Sequence, residues 1–154
     1  REILNEDFTT LAMLESAMAV GMLCGSFIII KFLKNLSFVK ILFFGIIFDG
    51  ITYSFLYFTN STWLAIIILF IHGIGIPLIV VSRTNLIQKY IPNEFRGRIF
   101  SMVNMSVLGT TAISSMLTGF SLEFISVQTL FLIIGICAMS TMVIGYFSKE
   151  FKSI

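Results

Sequence analysis

The amino-acid sequence predicts an all-α, polytopic transmembrane helix bundle with about five spans. Of the 154 residues, 57% are hydrophobic and only 12% are charged, whereas roughly a quarter of the residues in soluble domains are charged. The mean hydropathy of +1.01 agrees with this composition. The apolar residues form long continuous stretches and do not alternate with polar residues, which favours helices over the strands of a membrane barrel.

Five stretches are long enough to cross a bilayer as helices, which takes about 20 apolar residues. No Gly/Ser-rich linker or low-complexity segment separates them. We therefore expect residues 1–154 to form one partial transmembrane domain. The predicted spans are approximately 8–33, 38–58, 63–82, 99–122 and 127–147.

The basic residues predict how the bundle is oriented. Nine of the ten Lys and Arg residues fall on one side of it, which leaves only Arg1 on the other. By the positive-inside rule the basic side faces the cytoplasm, so the N-terminus lies outside and the C-terminus inside. An outward Arg1 without a signal peptide leads us to expect a further hydrophobic segment upstream. The nine residues are Lys31, Lys34, Lys40, Arg83, Lys89, Arg96, Arg98, Lys149 and Lys152.

Several function classes find no support in the sequence. The net charge of +2 reflects this topological asymmetry and not a surface for nucleic acid. The chain contains no phosphate-binding loop, no nucleophile elbow and no metalloprotease motif, so we expect no enzyme activity, cofactor or metal. Cys24 and Cys137 lie within predicted spans, where they are expected to act as small apolar side chains.

Small residues recur at four-residue spacing in two spans. Gly21 and Gly25 share one face of the first span, and Ser115 and Gly119 share one face of the fourth. Such faces let helix backbones approach closely in lipid, so we expect helix packing there. The fourth span carries further Ser and Thr residues on an adjoining stripe, and this pattern is equally typical of a polar cavity wall.

The third span contains Gly73 and Pro77, four residues apart. Proline has no backbone N–H, so the Gly73 carbonyl loses its helical partner and a hinge is predicted at this point.

Three ionisable residues lie inside the predicted spans: Glu15, Asp49 and His72. Such residues are costly in a bilayer and are functional candidates by default. Asp49 and His72 each lie about ten residues from the same outer turn, roughly 15 Å deep at 1.5 Å per residue. We expect at least one of the three to carry a coupling proton or to contact substrate. Alternatively, Glu15 lies at the interface, Asp49 is a structural partner, and His72 bonds a carbonyl freed by the hinge.

The link between the third and fourth spans carries the most specific string in the sequence. Pro92 is expected to end one helix, and Gly97 to allow a tight entry into the next. Arg96 and Arg98 then lie at the cytoplasmic headgroups, with Glu94 as a possible ion-pair partner.

This Pro-x-Glu-x-Arg-Gly-Arg string resembles the link between helices 10 and 11 of major facilitator superfamily exporters, particularly the enterobactin exporters and macrolide efflux proteins. The segment from Leu14 to Ser26 resembles helix 8 of that branch, and the fifth span fits helix 12. The resemblance thus covers nearly the whole chain as helices 8 to 12. One departure is the 31–37 link, which lacks the acidic residue and glycine of the usual signature between helices 8 and 9.

The resemblance implies a secondary transporter that exports drug-like molecules or siderophores in exchange for protons. The partners would be the lipid bilayer, a missing N-terminal half, a small-molecule substrate and protons, and the location a bacterial inner membrane. In such a fold Glu15 and His72 are favoured over Asp49 as pathway residues, and Glu94 and Arg96 belong to a cytoplasmic network.

A second function from a different class is also consistent with the sequence. The chain would then be a non-transporting membrane protein that binds another membrane protein through its small-residue helix faces.

Overall fold

The computed structural model describes residues 8–33 and 35–147, with side chains described up to position 141. Within these ranges the chain is all-α and has no strand, which confirms the predicted fold class. Arg1, Lys34, Lys149 and Lys152, which entered the orientation argument, lie outside the described residues. The helices are α1 (Phe8–Phe32), α2 (Phe38–Phe55), α3 (Thr62–Tyr90), α4 (Asn93–Ser121) and α5 (Val127–Phe147), with a 3₁₀ turn at Leu56–Phe58.

Four segments of the described chain are long and apolar enough to cross a membrane: α1, α2 with its 3₁₀ turn, α3 and α4. The fifth helix adds a shorter apolar segment at Val127–Thr141. These helices mark the chain as a multi-pass membrane protein.

The third and fourth helices are longer than the sequence predicts. Each has 29 residues, or about 44 Å at 1.5 Å per residue, whereas a hydrocarbon core is about 30 Å thick. The expected loop between residues 82 and 99 is therefore mostly helix, interrupted only at Ile91 and Pro92. The prediction ended the third span at its first charged residues, although Leu, Gln and Lys continue a helix readily once it leaves the lipid.

Serine side chains mark the starts of three helices. The hydroxyls of Ser37, Ser61 and Ser126 accept bonds from the backbone N–H groups three residues further on, at 3.2 to 3.4 Å. These bonds satisfy donors that have no partner within the first helical turn. They fix where α2, α3 and α5 begin.

Helix α3 is the centre of the packing. It lies between α1 and α2, and α2 in turn packs against α5. A small apolar cluster of Ile29, Ile41 and Leu78 ties α1, α2 and α3 together near one end of the bundle. Pro77 is buried within α3, which stays helical from Thr62 to Tyr90.

Glycines allow the closest of these helix contacts. Gly21 and Gly25 of α1 lie against the backbone of α3, where an added Cβ would overlap the carbonyl oxygens of Phe70 and Ile74. Gly50 of α2 and Gly135 of α5 approach each other in the same way. Backbones this close gain van der Waals contact, the main attraction between helices in lipid.

Helix α4 stands apart from this packing. It has no buried residue, and α3 is the described helix that it contacts appreciably. Its mean apolar character is lower than that of the other helices because Ser, Thr and Gly occupy much of its length. One long face of α4 is therefore left open.

Candidate functional site

Asp49 and His72 meet between α2 and α3. The carboxylate oxygen Oδ1 of Asp49 lies 3.5 Å from Nδ1 of His72. The His72 side chain is 5% exposed and that of Asp49 is 22% exposed, so the imidazole is enclosed and the carboxylate is partly accessible. The sequence placed the two residues at equal depth on neighbouring helices, and the structure brings them into contact.

Two further side chains of α2 surround the imidazole. Thr52 is buried, and its hydroxyl oxygen lies 2.9 Å from His72 Nδ1. The Tyr53 ring meets the imidazole edge to face, with centroids 4.5 Å apart and planes at 71°. On its other side Tyr53 lies near Phe131 of α5, at 6.1 Å between centroids.

Neither Thr52 nor Tyr53 was predicted from the sequence as a member of this cluster. The spacing of positions 49, 52 and 53 indicates that they lie together, because residues three and four apart share one face of a helix. A search for polar residues one turn from Asp49 would have found them.

The geometry gives this cluster proton-binding chemistry. A carboxylate only accepts hydrogen bonds, whereas each imidazole nitrogen either accepts or donates according to its protonation. Histidine changes charge near neutral pH when it is unperturbed. An imidazole and a carboxylate within 4 Å of each other can therefore share, take up or release a proton inside the span.

Glu15 does not join this cluster. It is exposed on α1, and among the described residues it forms no ion pair. The structure thus separates Glu15 from the Asp49–His72 pair, although all three residues lie within spans.

Gly73, which the sequence predicts to form a hinge with Pro77, packs against α1 in the structure. It lies against the carbonyl of Met18 in α1, so it belongs to the close contact between α1 and α3. His72 precedes it and faces α2 through Thr52 and Asp49. The imidazole nitrogen Nδ1 therefore bonds a side chain, whereas the alternative interpretation had His72 bond a freed carbonyl.

Arg96 connects the end of α3 to the start of α4. Its Nε donates to the carbonyl oxygen of Ile91 at 2.9 Å, and its Nη2 donates to the carbonyl oxygen of Gln88. The last carbonyls of a helix have no partner within the helix, and a guanidinium is well suited to satisfy them. Arg96 is therefore a cap for α3 supplied by α4.

The structure differs from two expectations for this link, the possible ion pair of Glu94 and the turn at Gly97. Glu94 is exposed and forms no ion pair with Arg96 in the described chain. It occupies the first turn of α4, where a carboxylate is favoured by the helix dipole. Arg98 is exposed as well.

Gly97 lies inside α4 and does not form the turn, and an added Cβ there would meet nothing within 4 Å. The turn is made at Ile91 and Pro92, both of which have extended backbone conformations. Proline disfavours the helical conformation for the residue before it, and the extended backbone of Ile91 before Pro92 follows that preference.

A groove with a volume of about 740 Å³ lies along the open face of α4, and its surface is mainly apolar although Ser and Thr residues line it. Several of its hydroxyls donate to carbonyls one turn earlier, for example Ser115 to Thr111 at 2.9 Å, so they are satisfied without another helix. The groove is lined by Ser106, Val107, Thr110, Thr111, Ser114, Ser115, Thr118, Gly119 and Leu122.

The packing predicted for Ser115 and Gly119 is not found in the described residues. Both are exposed, and an added Cβ at Gly119 would meet nothing within 4 Å. The spacing of small residues is the same for a packing seam and for a cavity wall, and only the position of α4 separates the two.

The described residues contain no group of three or more His, Cys, Asp or Glu side chains that could hold a metal ion. Cys24 and Cys137 are both free thiols.

The sequence profile of the Major Facilitator Superfamily matches residues 1–153. No curated protein and no solved structure is detectably similar to the chain.

Proposed function

Because the chain belongs to the major facilitator superfamily, we propose that it acts as a proton-coupled exporter in which Asp49 and His72 bind the transported proton. The family and the apolar helices make the chain part of a membrane transporter. The observation that carries the finer proposal is the 3.5 Å contact between Asp49 Oδ1 and His72 Nδ1 inside two spans.

This contact is significant because both ionisable side chains lie within membrane spans. Ionisable groups within a bilayer are expensive and mark proton relays when they pair with each other. The Asp49 side chain is partly exposed, whereas the His72 side chain is enclosed, so Asp49 is the member of the pair that a proton can reach from outside. A proton that arrives at Asp49 has His72 as its next acceptor.

The groove on α4 is the proposed wall of the substrate path. Ligand sites combine apolar surface with a few polar groups, and this groove mixes hydroxyls with Val107 and Leu122. We propose that helices of the N-terminal half cover it and complete the cavity. Because α4 is tied to α3 chiefly through the Arg96 cap, it can move with substrate while α1, α2, α3 and α5 stay packed.

The direction and the substrate class rest on the resemblance of the 92–98 string. It favours export of drug-like molecules or siderophores across a bacterial inner membrane. The orientation follows the positive-inside rule, with Arg96 and Arg98 on the cytoplasmic side. The Arg96 cap then lies at the cytoplasmic end of the α3–α4 pair.

The alternative function keeps one observation in its favour. The glycine face of α1 is already occupied by α3, so it does not recruit another protein. The open face of α4 remains available to a partner helix in a protein that does not transport. A transport assay separates the two functions.

The test is accumulation of a fluorescent cationic dye in cells that express the complete gene, with and without a protonophore. We expect dye exclusion that collapses with the proton gradient. His72→Gln and Asp49→Asn should abolish exclusion at equal expression, whereas Glu123→Gln, at an exposed residue of the link between α4 and α5, should retain it. Full exclusion by both variants of the pair would contradict the proposed proton site.

A further inference from the structure

We infer that Thr52 is a positioning residue whose hydroxyl serves His72 Nδ1 both with and without a proton, which lets the imidazole change state inside the span. This inference rests on the proposed role of His72 as a proton carrier. It arises from the three atoms that surround the Thr52 hydroxyl.

The Thr52 hydroxyl lies within hydrogen-bonding distance of three atoms but carries only one hydrogen. Its oxygen lies 2.9 Å from His72 Nδ1, 3.0 Å from the carbonyl oxygen of Phe48 and 2.9 Å from that of Asp49. A hydroxyl carries one hydrogen and two acceptor lone pairs. It can therefore donate to one of these atoms at a time and accept from another.

This geometry supplies a partner for each state of Nδ1. When Nδ1 has no proton, the hydroxyl donates to it. When Nδ1 carries a proton, the nitrogen donates to the hydroxyl oxygen, and the hydroxyl hydrogen rotates to the carbonyl of Phe48 or Asp49. Rotation about one bond thus keeps Nδ1 and the Thr52 hydroxyl hydrogen-bonded to each other in both states, which avoids the cost of leaving either group unpaired in a buried site.

Asp49 cannot do this by itself. An ionised carboxylate only accepts hydrogen bonds, so it stabilises Nδ1–H and opposes an unprotonated Nδ1. It also lies at 3.5 Å, further from Nδ1 than the Thr52 hydroxyl. Thr52 is therefore the group that donates a hydrogen bond to the unprotonated Nδ1 and stabilises that state beside Asp49.

Few other groups compete for the imidazole. From α2 the ionisable neighbours are Asp49 and Tyr53, and Tyr53 presents its ring. Glu15 of α1 and Cys137 of α5 are exposed, and neither pairs with His72 among the described residues. Among the described residues, the polar side chains that the structure places at Nδ1 are Thr52 and Asp49.

The test is nitrogen-15 NMR of the histidine in the chain, reconstituted in lipid nanodiscs, from pH 5 to pH 9. The chain contains one histidine, so its imidazole signals belong to His72. The chemical shift of Nδ1 separates the protonated from the unprotonated nitrogen. The variants are Thr52→Val, which keeps the shape and removes the hydroxyl, and Thr52→Ser, which keeps the hydroxyl.

We expect the wild-type Nδ1 to lose its proton as the pH rises. In Thr52→Val the ratio of unprotonated to protonated Nδ1 should fall about fivefold at high pH, the factor that corresponds to about 1 kcal/mol for one hydrogen bond. Thr52→Ser should behave as the wild type. Asp49→Asn should shift the ratio the other way, because it removes the charge that favours Nδ1–H.

Identical Nδ1 populations in wild type and Thr52→Val would overturn the inference, and so would a wild-type Nδ1 that keeps one state over the whole pH range. If Thr52→Val does not fold, Thr52→Ala provides the same comparison without the added methyl. The NMR measurement does not depend on transport activity. If Nδ1 follows the expected pattern while the complete gene exports no dye, the inference about Thr52 stands and the proposed function fails.

Discussion

Gly25 of α1 lies directly against the backbone of Ile74 in α3, with no room for a side chain between them. We expect Gly25→Ala to destabilise the bundle by about 1–3 kcal/mol, the usual cost of overpacking a close contact. Thermal unfolding of the purified protein in detergent measures this as a lower Tm.

Gly119→Ala is the matched control for that substitution. An added Cβ at Gly119 meets nothing within 4 Å, and alanine is the better helix former by roughly 1 kcal/mol. Its Tm should be equal to or above that of the wild type. Equal losses in both variants would show that the α1–α3 contact is not the source of the effect.

Arg96 should stabilise the junction of α3 and α4. Arg96→Gln leaves the carbonyls of Gln88 and Ile91 without their charged donor, a loss on the order of 1 kcal/mol for partly exposed bonds. We expect faster amide hydrogen exchange in the last turn of α3. Arg98→Gln, which removes the same charge at an exposed position, should leave that exchange unchanged; equal acceleration by both would assign the effect to charge alone.

The groove on α4 should tolerate bulk without loss of folding. Ser115→Leu fills the groove. Since α4 buries no residue, the free energy of unfolding should stay within about 0.5 kcal/mol of the wild-type value, as for surface changes. Dye export should nevertheless fall strongly. Met116→Leu, next to it but 80% exposed and outside the groove, should export normally. Normal export by Ser115→Leu would remove the groove from the proposed path.

The proposed orientation can be tested with cysteines at Asn60 and Asn93, both of which are exposed in turns or helix ends. With Cys24 and Cys137 replaced by alanine, a membrane-impermeant maleimide added to intact cells should label a cysteine at position 60. A cysteine at position 93 should react only after the membrane is opened. The reverse pattern would contradict the orientation derived from the basic residues.

The sequence predicted the parts of the fold that depend on solvent and on local chain geometry. The apolar stretches identified the helices, and Pro92 marked the break between α3 and α4, because both effects act within a few residues. The helix ends near Tyr90 and Asn93 were missed, since hydropathy marks where the lipid ends and not where a helix ends.

Contacts between helices were predicted only in part. The depth of Asp49 and His72 followed from counting residues, so their meeting could be expected. The approach of Gly50 to Gly135 depends on how α2 and α5 rotate about their axes, which no local pattern fixes. The stripe at Gly21 is packed because α1 lies against α3, whereas the stripe at Ser115 is open because α4 stands apart from the other described helices.

The most direct test of the proton site is proton movement in proteoliposomes that contain the protein from its complete gene. A substrate dye gradient is imposed, and the internal pH is followed with an entrapped indicator. We expect the wild type to move protons against the dye, and His72→Gln and Asp49→Asn to exchange dye across the membrane without moving protons. Proton movement of wild-type size per dye molecule in both variants would show that the transported proton binds elsewhere.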